Sequence, residues 1–156
     1  MVERASASVY NHFGMTPNAV LMLWPMLAHI GLVFALYAWL TFERVSAVRR
    51  GEAKYSAYLF GREEPHQAAR ISCNLSNQFE LPVIFYALVV LLIAIKEVTP
   101  LDLIMAWVFV AGRVAHTLVQ TLTDNVPLRG NVFTINFLAV CVLTAHVLYI
   151  AVQGVS

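Results

Sequence analysis

The chain has 156 residues, of which 60% are hydrophobic and 12% are charged, and its mean hydropathy is +0.71. An average soluble domain is about half apolar and about a quarter charged, so this composition argues against a soluble protein and is typical of a membrane protein. The formal net charge is +1 and no basic patch is interleaved with aromatic residues, so no nucleic acid partner is expected.

Four apolar stretches reach the roughly 20 residues that a helix needs to cross a bilayer. In chain order they are Ala19 to Phe42, Ile71 to Ile95, Leu103 to Leu122 and Asn131 to Val152. Their length and their lack of strict alternation favour helices over buried strands. The sequence therefore predicts an all-α fold, an integral membrane four-helix bundle, in which residues 1–156 form a single domain within the lipid bilayer.

Two of these spans contain a proline, Pro25 in the first and Pro82 in the second. A proline inside a helix removes one backbone hydrogen bond, and a membrane helix tolerates this where neighbouring groups satisfy the freed carbonyl. Each proline therefore predicts a bend, and the bend of the second span is expected just beyond Glu80.

Lysine and arginine are distributed unevenly between the two ends of the predicted bundle. The first and third connectors hold Arg44, Arg49, Arg50, Lys54, Arg62, Arg70 and Arg129, whereas the opposite side holds only Arg4 and Lys96. The positive-inside rule then places both termini outside and the long first connector in the cytoplasm. The compact length favours a bacterial inner membrane over the endoplasmic reticulum.

Arg113 is a permanent cation within the third span, and Glu80 in the second span is its expected counter-charge. At 1.5 Å per residue, Glu80 lies about 15 Å and Arg113 about 14 Å from the cytoplasmic ends of their helices. The two charges are therefore expected to meet at one depth. Ionisable residues within a membrane are costly and mark a binding or transport site by default.

Helical spacing gives the second and third spans one polar stripe each. The stripes consist of Arg70, Cys73, Asn77 and Glu80 on the second span and of Arg113, His116 and Gln120 on the third. They predict a pocket at the cytoplasmic end, with cations for a carboxylated ligand and apolar walls for a lipid-like one. The alternative is that the stripes only hold the helices together.

The remaining polar groups have simpler interpretations. Cys73 and Cys141 are expected to be buried free thiols. His29 and His146 are expected to be hydrogen-bonded core histidines, and Asn136 is expected to bond a neighbouring helix. The histidines lack the spacing of zinc ligands, so no metal site is predicted.

Two short motifs resemble the MAPEG family, the membrane-associated proteins in eicosanoid and glutathione metabolism. They are GRVAHT, from Gly112 to Thr117, with Pro127 and Arg129 after it, and NQFE, from Asn77 to Glu80, before a proline. The resemblance extends over essentially the whole chain. It implies a homotrimer that binds glutathione as a cosubstrate between helices of adjacent subunits, near the cytoplasmic side.

The resemblance also assigns roles to individual residues. It implies that glutathione contacts Arg70, Asn77, Glu80 and Arg113, and that Arg129 lies near the thiol. His116 and Gln120 join the predicted glutathione site because they share the polar stripe of Arg113, and Arg129 and Arg113 are the expected catalytic residues. The chain departs from glutathione-handling members at Cys73, Leu75 and Ser76, where they carry additional basic residues. It also has Gln120 where they usually have a tyrosine.

The leading hypothesis is a glutathione-dependent transferase or peroxidase that acts on small hydrophobic electrophiles dissolved in the membrane. One alternative is a non-catalytic lipid-binding or scaffold protein of the same fold. Another is a small transporter that uses Glu80 for proton coupling, although the sequence lacks the paired broken helices typical of such proteins.

Overall fold

The structure is a computed structural model that describes residues 14–59 and 64–154. Within these residues it contains helices and no strand, and four helical stretches are long and apolar enough to cross a membrane. The all-α, four-helix prediction is therefore confirmed. Arg4 and Arg62, which contributed to the orientation argument, lie outside the described residues.

Five α-helices make up the four stretches, because the second stretch is broken. The helices are α1 (Pro17–Arg49), α2 (His66–Ser76), α3 (Leu81–Ala94), α4 (Pro100–Leu122) and α5 (Val126–Gln153), with short 3₁₀ turns at Tyr55–Tyr58 and Asn77–Phe79. The helices α2 and α3 together form the second stretch, His66–Ala94.

Each of the four helical stretches begins before the apolar span that predicted it. Helix α1 continues past Phe42 to Arg49, and α5 begins at Val126 rather than at Asn131. The Asn125 side chain caps α5 by accepting a hydrogen bond of 2.9 Å from the backbone N–H of Leu128. Arg129, expected in a connector, therefore lies in the first turns of α5.

The break in the second stretch covers Asn77 to Glu80, so it lies just before the position beyond Glu80 where the bend was expected. Helix α2 ends at Ser76, the 3₁₀ turn follows, and Glu80 has φ −100° and ψ −100° before α3 begins at Leu81. Pro82 lies in the first turn of α3, where its missing N–H leaves no intrahelical bond unmade. The proline therefore starts a new helix, and the break is confined to the residues before it.

The apolar core consists of two clusters. The larger one joins α1, α3, α4 and α5, and at its centre the rings of Phe85 and Phe109 stack with 4.2 Å between their centroids. The smaller one joins α1 to α2 and consists of Leu36, Leu40, Ala68, Ile71 and Leu75. Along α1, the buried His29 lies between the two clusters, at the level of a layer of buried polar residues.

Helix α4 begins with a capping box that also joins it to α5. Asp102 accepts a hydrogen bond of 2.8 Å from the backbone N–H of Thr99, and the Thr99 hydroxyl caps the backbone N–H of Asp102. The carboxylate of Asp102 also pairs with Nδ1 of His146 at 2.9 Å. His146 is therefore a hydrogen-bonded histidine, as predicted.

Helices α4 and α5 approach closely at Gly112. A Cβ atom added to Gly112 would lie 1.9 Å from Oδ1 of Asn136, which is less than any real contact of that kind. Asn136 is fully buried, and neither polar atom of its amide has a hydrogen-bond partner. The prediction that Asn136 bonds a neighbouring helix is therefore wrong, because the amide packs against a glycine backbone instead.

The substitution Gly112→Ala is expected to destabilise the bundle by about 1–3 kcal/mol, the usual cost of overpacking a core. Unfolding in mixed detergent micelles measures this change. Gly31→Ala is the matched control, since Gly31 has open space around it, and it should be neutral or slightly stabilising. Adding Asn136→Ala to Gly112→Ala should restore most of the loss. A Gly112→Ala protein as stable as the parent would contradict the packing argument.

Candidate functional site

Arg113 is fully buried, and acceptors on the broken second stretch satisfy it. Its Nε donates to Oε1 of Gln78 at 3.0 Å, and its Nη2 donates to the backbone carbonyl of Asn77 at 3.0 Å. In an unbroken α-helix that carbonyl would accept the N–H four residues later. The break at Asn77–Phe79 thus provides a backbone acceptor for the buried cation.

Glu80 is not the direct partner of Arg113 that the sequence predicted. The carboxylate is exposed, and no ion pair of 4.0 Å or less joins the two side chains. It attracts the guanidinium only at longer range. The helix break explains this difference, because it changes the direction of the chain between Asn77 and Leu81.

Gln78 connects the buried cation to two residues further from it. Its Oε1 also lies 3.2 Å from Nε2 of His29, whose Nδ1 lies 2.6 Å from the Tyr86 hydroxyl. An amide oxygen only accepts, so Nε2 of His29 carries the proton and Nδ1 accepts from Tyr86. His29 is thus a hydrogen-bonded core histidine, as predicted.

A second set of amides fixes α2 against α4. Nδ2 of Asn74 and Nδ2 of Asn77 donate to Oε1 of Gln120 at 2.9 and 3.0 Å. Oδ1 of Asn74 accepts from the Thr117 hydroxyl at 3.0 Å. Asn74 and Gln78 were not among the predicted site residues, although their four-residue spacing is the same helical signal that identified the other stripe.

Arg70 closes the end of α4. Its Nε donates to the backbone carbonyl of Gln120 at 3.1 Å, and its guanidinium also bonds the carbonyl of Thr123 and pairs with Asp124 at 2.9 Å. A cation at a helix C-terminus satisfies carbonyls that lack intrahelical partners and opposes the negative end of the helix dipole. Part of the role of Arg70 is therefore structural.

Two adjoining cavities open beside these residues, and together we call them the polar cleft. The larger cavity, of about 400 Å³, lies between α2 and the α4–α5 connection, and the smaller one, of about 310 Å³, extends toward α5. Cys73, Gln120 and Arg129 line both cavities. Arg70 lines the larger one, and Asn77, His116 and Phe133 line the smaller.

A family model described as the MAPEG family matches residues 22–149. The chain belongs to the MAPEG family. This family includes glutathione transferases and related proteins. Membership of the family, together with four helices of membrane-spanning length, identifies the chain as an integral membrane protein. No curated protein and no solved structure matches the chain.

The polar cleft brings together five of the seven residues that were predicted for the site. These are Arg70, Asn77, His116, Gln120 and Arg129. Arg113 and Glu80 line neither cavity. Arg113 lies behind Asn77, which it holds by the backbone carbonyl.

Two side chains of the cleft retain unused polar groups. His116 is only 3% exposed, and its Nδ1 has no hydrogen-bond partner. The guanidinium of Arg129 has no hydrogen bond or ion pair to any described residue. The guanidinium of Arg129 is therefore available to a polar ligand, whereas Gln120 and Arg70 already bond the protein. Nδ1 of His116 is unsatisfied but buried.

Both cysteines are free and exposed, so the prediction of buried thiols is wrong. Cys73 lines both cavities of the polar cleft. Cys141 lies on the outside of α5 and lines neither cavity of the cleft.

An apolar cavity of about 380 Å³ lies between α1 and the broken second stretch. Its walls are Met26, Ile30, Val33, Phe34, Gln78, Phe79 and Tyr86. The amide of Gln78 is fully bonded to Arg113, His29 and Asn74. The cavity therefore presents an almost purely hydrophobic surface to a ligand.

Gln78→Leu is expected to lower the free energy of unfolding by about 3 kcal/mol, because it leaves N–H groups of Arg113 and His29 buried without an acceptor. Glu80→Gln should cost less than about 1 kcal/mol, since the carboxylate is exposed and makes no close ion pair. Unfolding of the detergent-solubilised variants, followed by circular dichroism, compares the two. Equal losses, or a larger loss for Glu80→Gln, would show that Glu80 stabilises the buried cation instead.

Proposed function

We propose that this MAPEG protein is a glutathione-dependent transferase or peroxidase that acts on small hydrophobic electrophiles from the membrane. The observation that carries the proposal is the guanidinium of Arg129, which lines the polar cleft and has no hydrogen bond or ion pair to any described residue. The buried His116, whose Nδ1 has no partner among the same residues, lines the cavity with it. Free polar groups in a concave site are the usual mark of a ligand-binding position.

The chemistry of the polar cleft suits glutathione. The tripeptide has two carboxylates, and Arg binds a carboxylate through two parallel hydrogen bonds. Arg129 offers such a fork, while the amide of Asn77 and the ring of His116 line the same cavity. Cavities of about 400 and 310 Å³ fall within the range of small-molecule sites.

Catalysis requires the sulfur of glutathione to be ionised, since the thiolate is the nucleophile. A cation close to the sulfur stabilises this form, and Arg129 is the group we assign to that role. In a transferase reaction the thiolate forms a bond to an electrophilic carbon, and the leaving group departs with the electron pair of the bond that breaks. In a peroxidase reaction the thiolate attacks one peroxide oxygen, the O–O bond breaks and the alcohol leaves. A second glutathione then converts the resulting sulfenic acid to oxidised glutathione and water. The electrophile reaches the cleft from the apolar outer faces of the helices.

Arg113 has a positioning role in this scheme. It is buried behind the cleft and donates to the carbonyl of Asn77, so it fixes the turn that presents the Asn77 amide. Glu80 is exposed on the far side of that turn. A contact between Glu80 and glutathione therefore requires a ligand that extends beyond the two cavities.

A homotrimer is the proposed assembly, with the cleft completed by a neighbouring subunit. The cleft opens on the surface of the single chain, between α2 and the start of α5. The neighbour would cover it at the cytoplasmic side, where α1 ends with Arg49. A further arginine from the end of a neighbouring α1 would add a cation for the second carboxylate.

The proposed orientation keeps both termini outside, in a bacterial inner membrane. Arg70 bonds the end of α4 and shares a cavity with Arg129, so these basic residues lie at one end of the bundle. Lys96 lies beside Gly14 at the opposite end. Accessibility of tags at either terminus to an impermeant label, in intact and in opened cells, tests this orientation.

Reduced glutathione is expected to raise the melting temperature of the purified protein at millimolar concentration. Arg129→Gln should weaken binding by about 10- to 100-fold, the effect of losing one charge-assisted contact of about 1.5–3 kcal/mol. Lys96→Asn is the matched control, because it removes a cation at the other end and asparagine tolerates the positive φ of 63° found there. Absence of stabilisation, or equal effects of the two variants, would remove the proposal.

The second candidate function is non-catalytic lipid binding, which the apolar cavity between α1 and the second stretch favours. Its walls are hydrophobic, and the hydroxyl of Tyr86, one of the lining residues, already donates its proton to His29. This function needs no glutathione. Binding of a fluorescent fatty alcohol that Phe34→Ala weakens, together with no response to glutathione, would favour this function over the first.

A further inference from the structure

Cys73 lies where the two cavities of the polar cleft meet. Its side chain is exposed on α2 and lines both of them. It is about 10 Å along the helix axis from the start of α2, counted from His66. A thiol at this position is open to polar solutes in the cleft, unlike one that faces lipid.

The surroundings of Cys73 suit an anionic reactant. Nε2 of Gln120 donates to the sulfur at 3.3 Å, and Oε1 of Gln120 is held by two asparagine amides, so the donor is fixed in place. Arg70 and Arg129 line the larger cavity with Cys73, as does Asp124, which pairs with Arg70, so Arg129 supplies the positive charge that is not neutralised. Negative charge that develops on sulfur, or that a reactant brings, is therefore stabilised here.

His116 independently indicates a polar ligand beside this thiol. It lines the smaller cavity with Cys73 and is only 3% exposed. Its Nδ1 has no hydrogen-bond partner among the described residues. Buried polar atoms without a partner are uncommon and call for a ligand or ordered water. The cleft thus holds an exposed thiol, a fixed donor to it, and an unsatisfied histidine.

We infer that Cys73 is a site of reversible S-thiolation by small anionic disulfides, oxidised glutathione being the representative. The Cys73 thiolate attacks one sulfur of the disulfide and forms a new S–S bond to it. The original S–S bond breaks, and the other half leaves as a thiolate, which takes up the proton that Cys73 released. No further oxidant is consumed, and a small thiol reverses the reaction by the same exchange.

The adduct has a direct consequence for the cleft. A glutathionyl group on Cys73 occupies the space between Arg70, Gln120 and Arg129, which is the space that the proposed function assigns to reduced glutathione. Thiolation therefore closes the site when the disulfide form accumulates. The inference depends on the cleft and its charges, and it does not require the protein to be a transferase.

The test measures adduct formation by intact mass spectrometry on the detergent-solubilised full chain. Two single-cysteine variants, Cys141→Ser and Cys73→Ser, are each treated with oxidised glutathione, which is anionic, and with cystamine, which is cationic. Rates are divided by those of a cysteine peptide in solution, so that the intrinsic reactivity of each disulfide cancels. Oxidised glutathione should modify Cys73 about tenfold faster than Cys141, the lower end of the rate gain from electrostatic steering.

In the Cys141→Ser background, Arg129→Gln should lower the ratio of the oxidised-glutathione rate to the cystamine rate about tenfold. The cystamine rate itself should be unchanged or higher. Lys96→Asn in the same background should have no effect. The inference is overturned if folded Cys73 stays unmodified while the denatured chain reacts. It is also overturned if Cys73 and Cys141 react alike, or if Arg129→Gln does not alter the preference.

The same samples separate this inference from the proposed function. Modification of Cys73 with the expected charge preference, without thermal stabilisation by reduced glutathione, would support thiolation and remove the transferase proposal. Stabilisation by reduced glutathione with an inert Cys73 would do the reverse.

Discussion

The structure depends on one buried cation and on the way the chain accommodates it. A guanidinium in a low-dielectric interior is tolerated only if its donors meet acceptors. Arg113 meets them through the side chain of Gln78 and the backbone carbonyl of Asn77. That carbonyl is available because α2 stops at Ser76 and α3 starts with Pro82 in its first turn. The helix break and the buried charge thus require each other.

This arrangement divides the polar residues into two groups. Asn74, Gln78 and Gln120 use their amides on one another and on Arg113, so they fix α2 against α4 and have little capacity left for a ligand. Arg129 and His116, on α5 and α4, line the cleft and keep polar groups without a partner among the described residues. The first group, whose amides bond one another, holds the helices that carry the second group. A preorganised binding site needs this kind of support. The interpretation that the polar stripes only hold helices together applies to the first group and leaves the second unexplained.

The two sides of the broken stretch offer different chemistry to a membrane protein. On one side, the cleft presents cations and amides around an exposed thiol, Cys73. On the other side, the cavity against α1 is almost wholly apolar. Gln78 separates them, with its amide bonded toward the polar layer and its aliphatic part lining the apolar cavity. The bundle thus has a polar cavity and an apolar cavity on opposite sides of the second stretch.

The sequence by itself determined the four membrane-length helices, the family and most of the cleft, because apolar length and helical spacing are local properties. Arg70, Asn77, His116 and Gln120 were found by helical spacing, and Arg129 was found by the resemblance to the MAPEG family. The tertiary structure decided which groups meet. Glu80 was expected opposite Arg113, but a break of a few residues turned it outward and brought Gln78 inward. Cys73 was expected to be buried, but it faces a cavity that forms only where α2, α4 and α5 converge. Partner choice and exposure depend on the relative rotation of helices, and spacing along one helix does not specify that rotation.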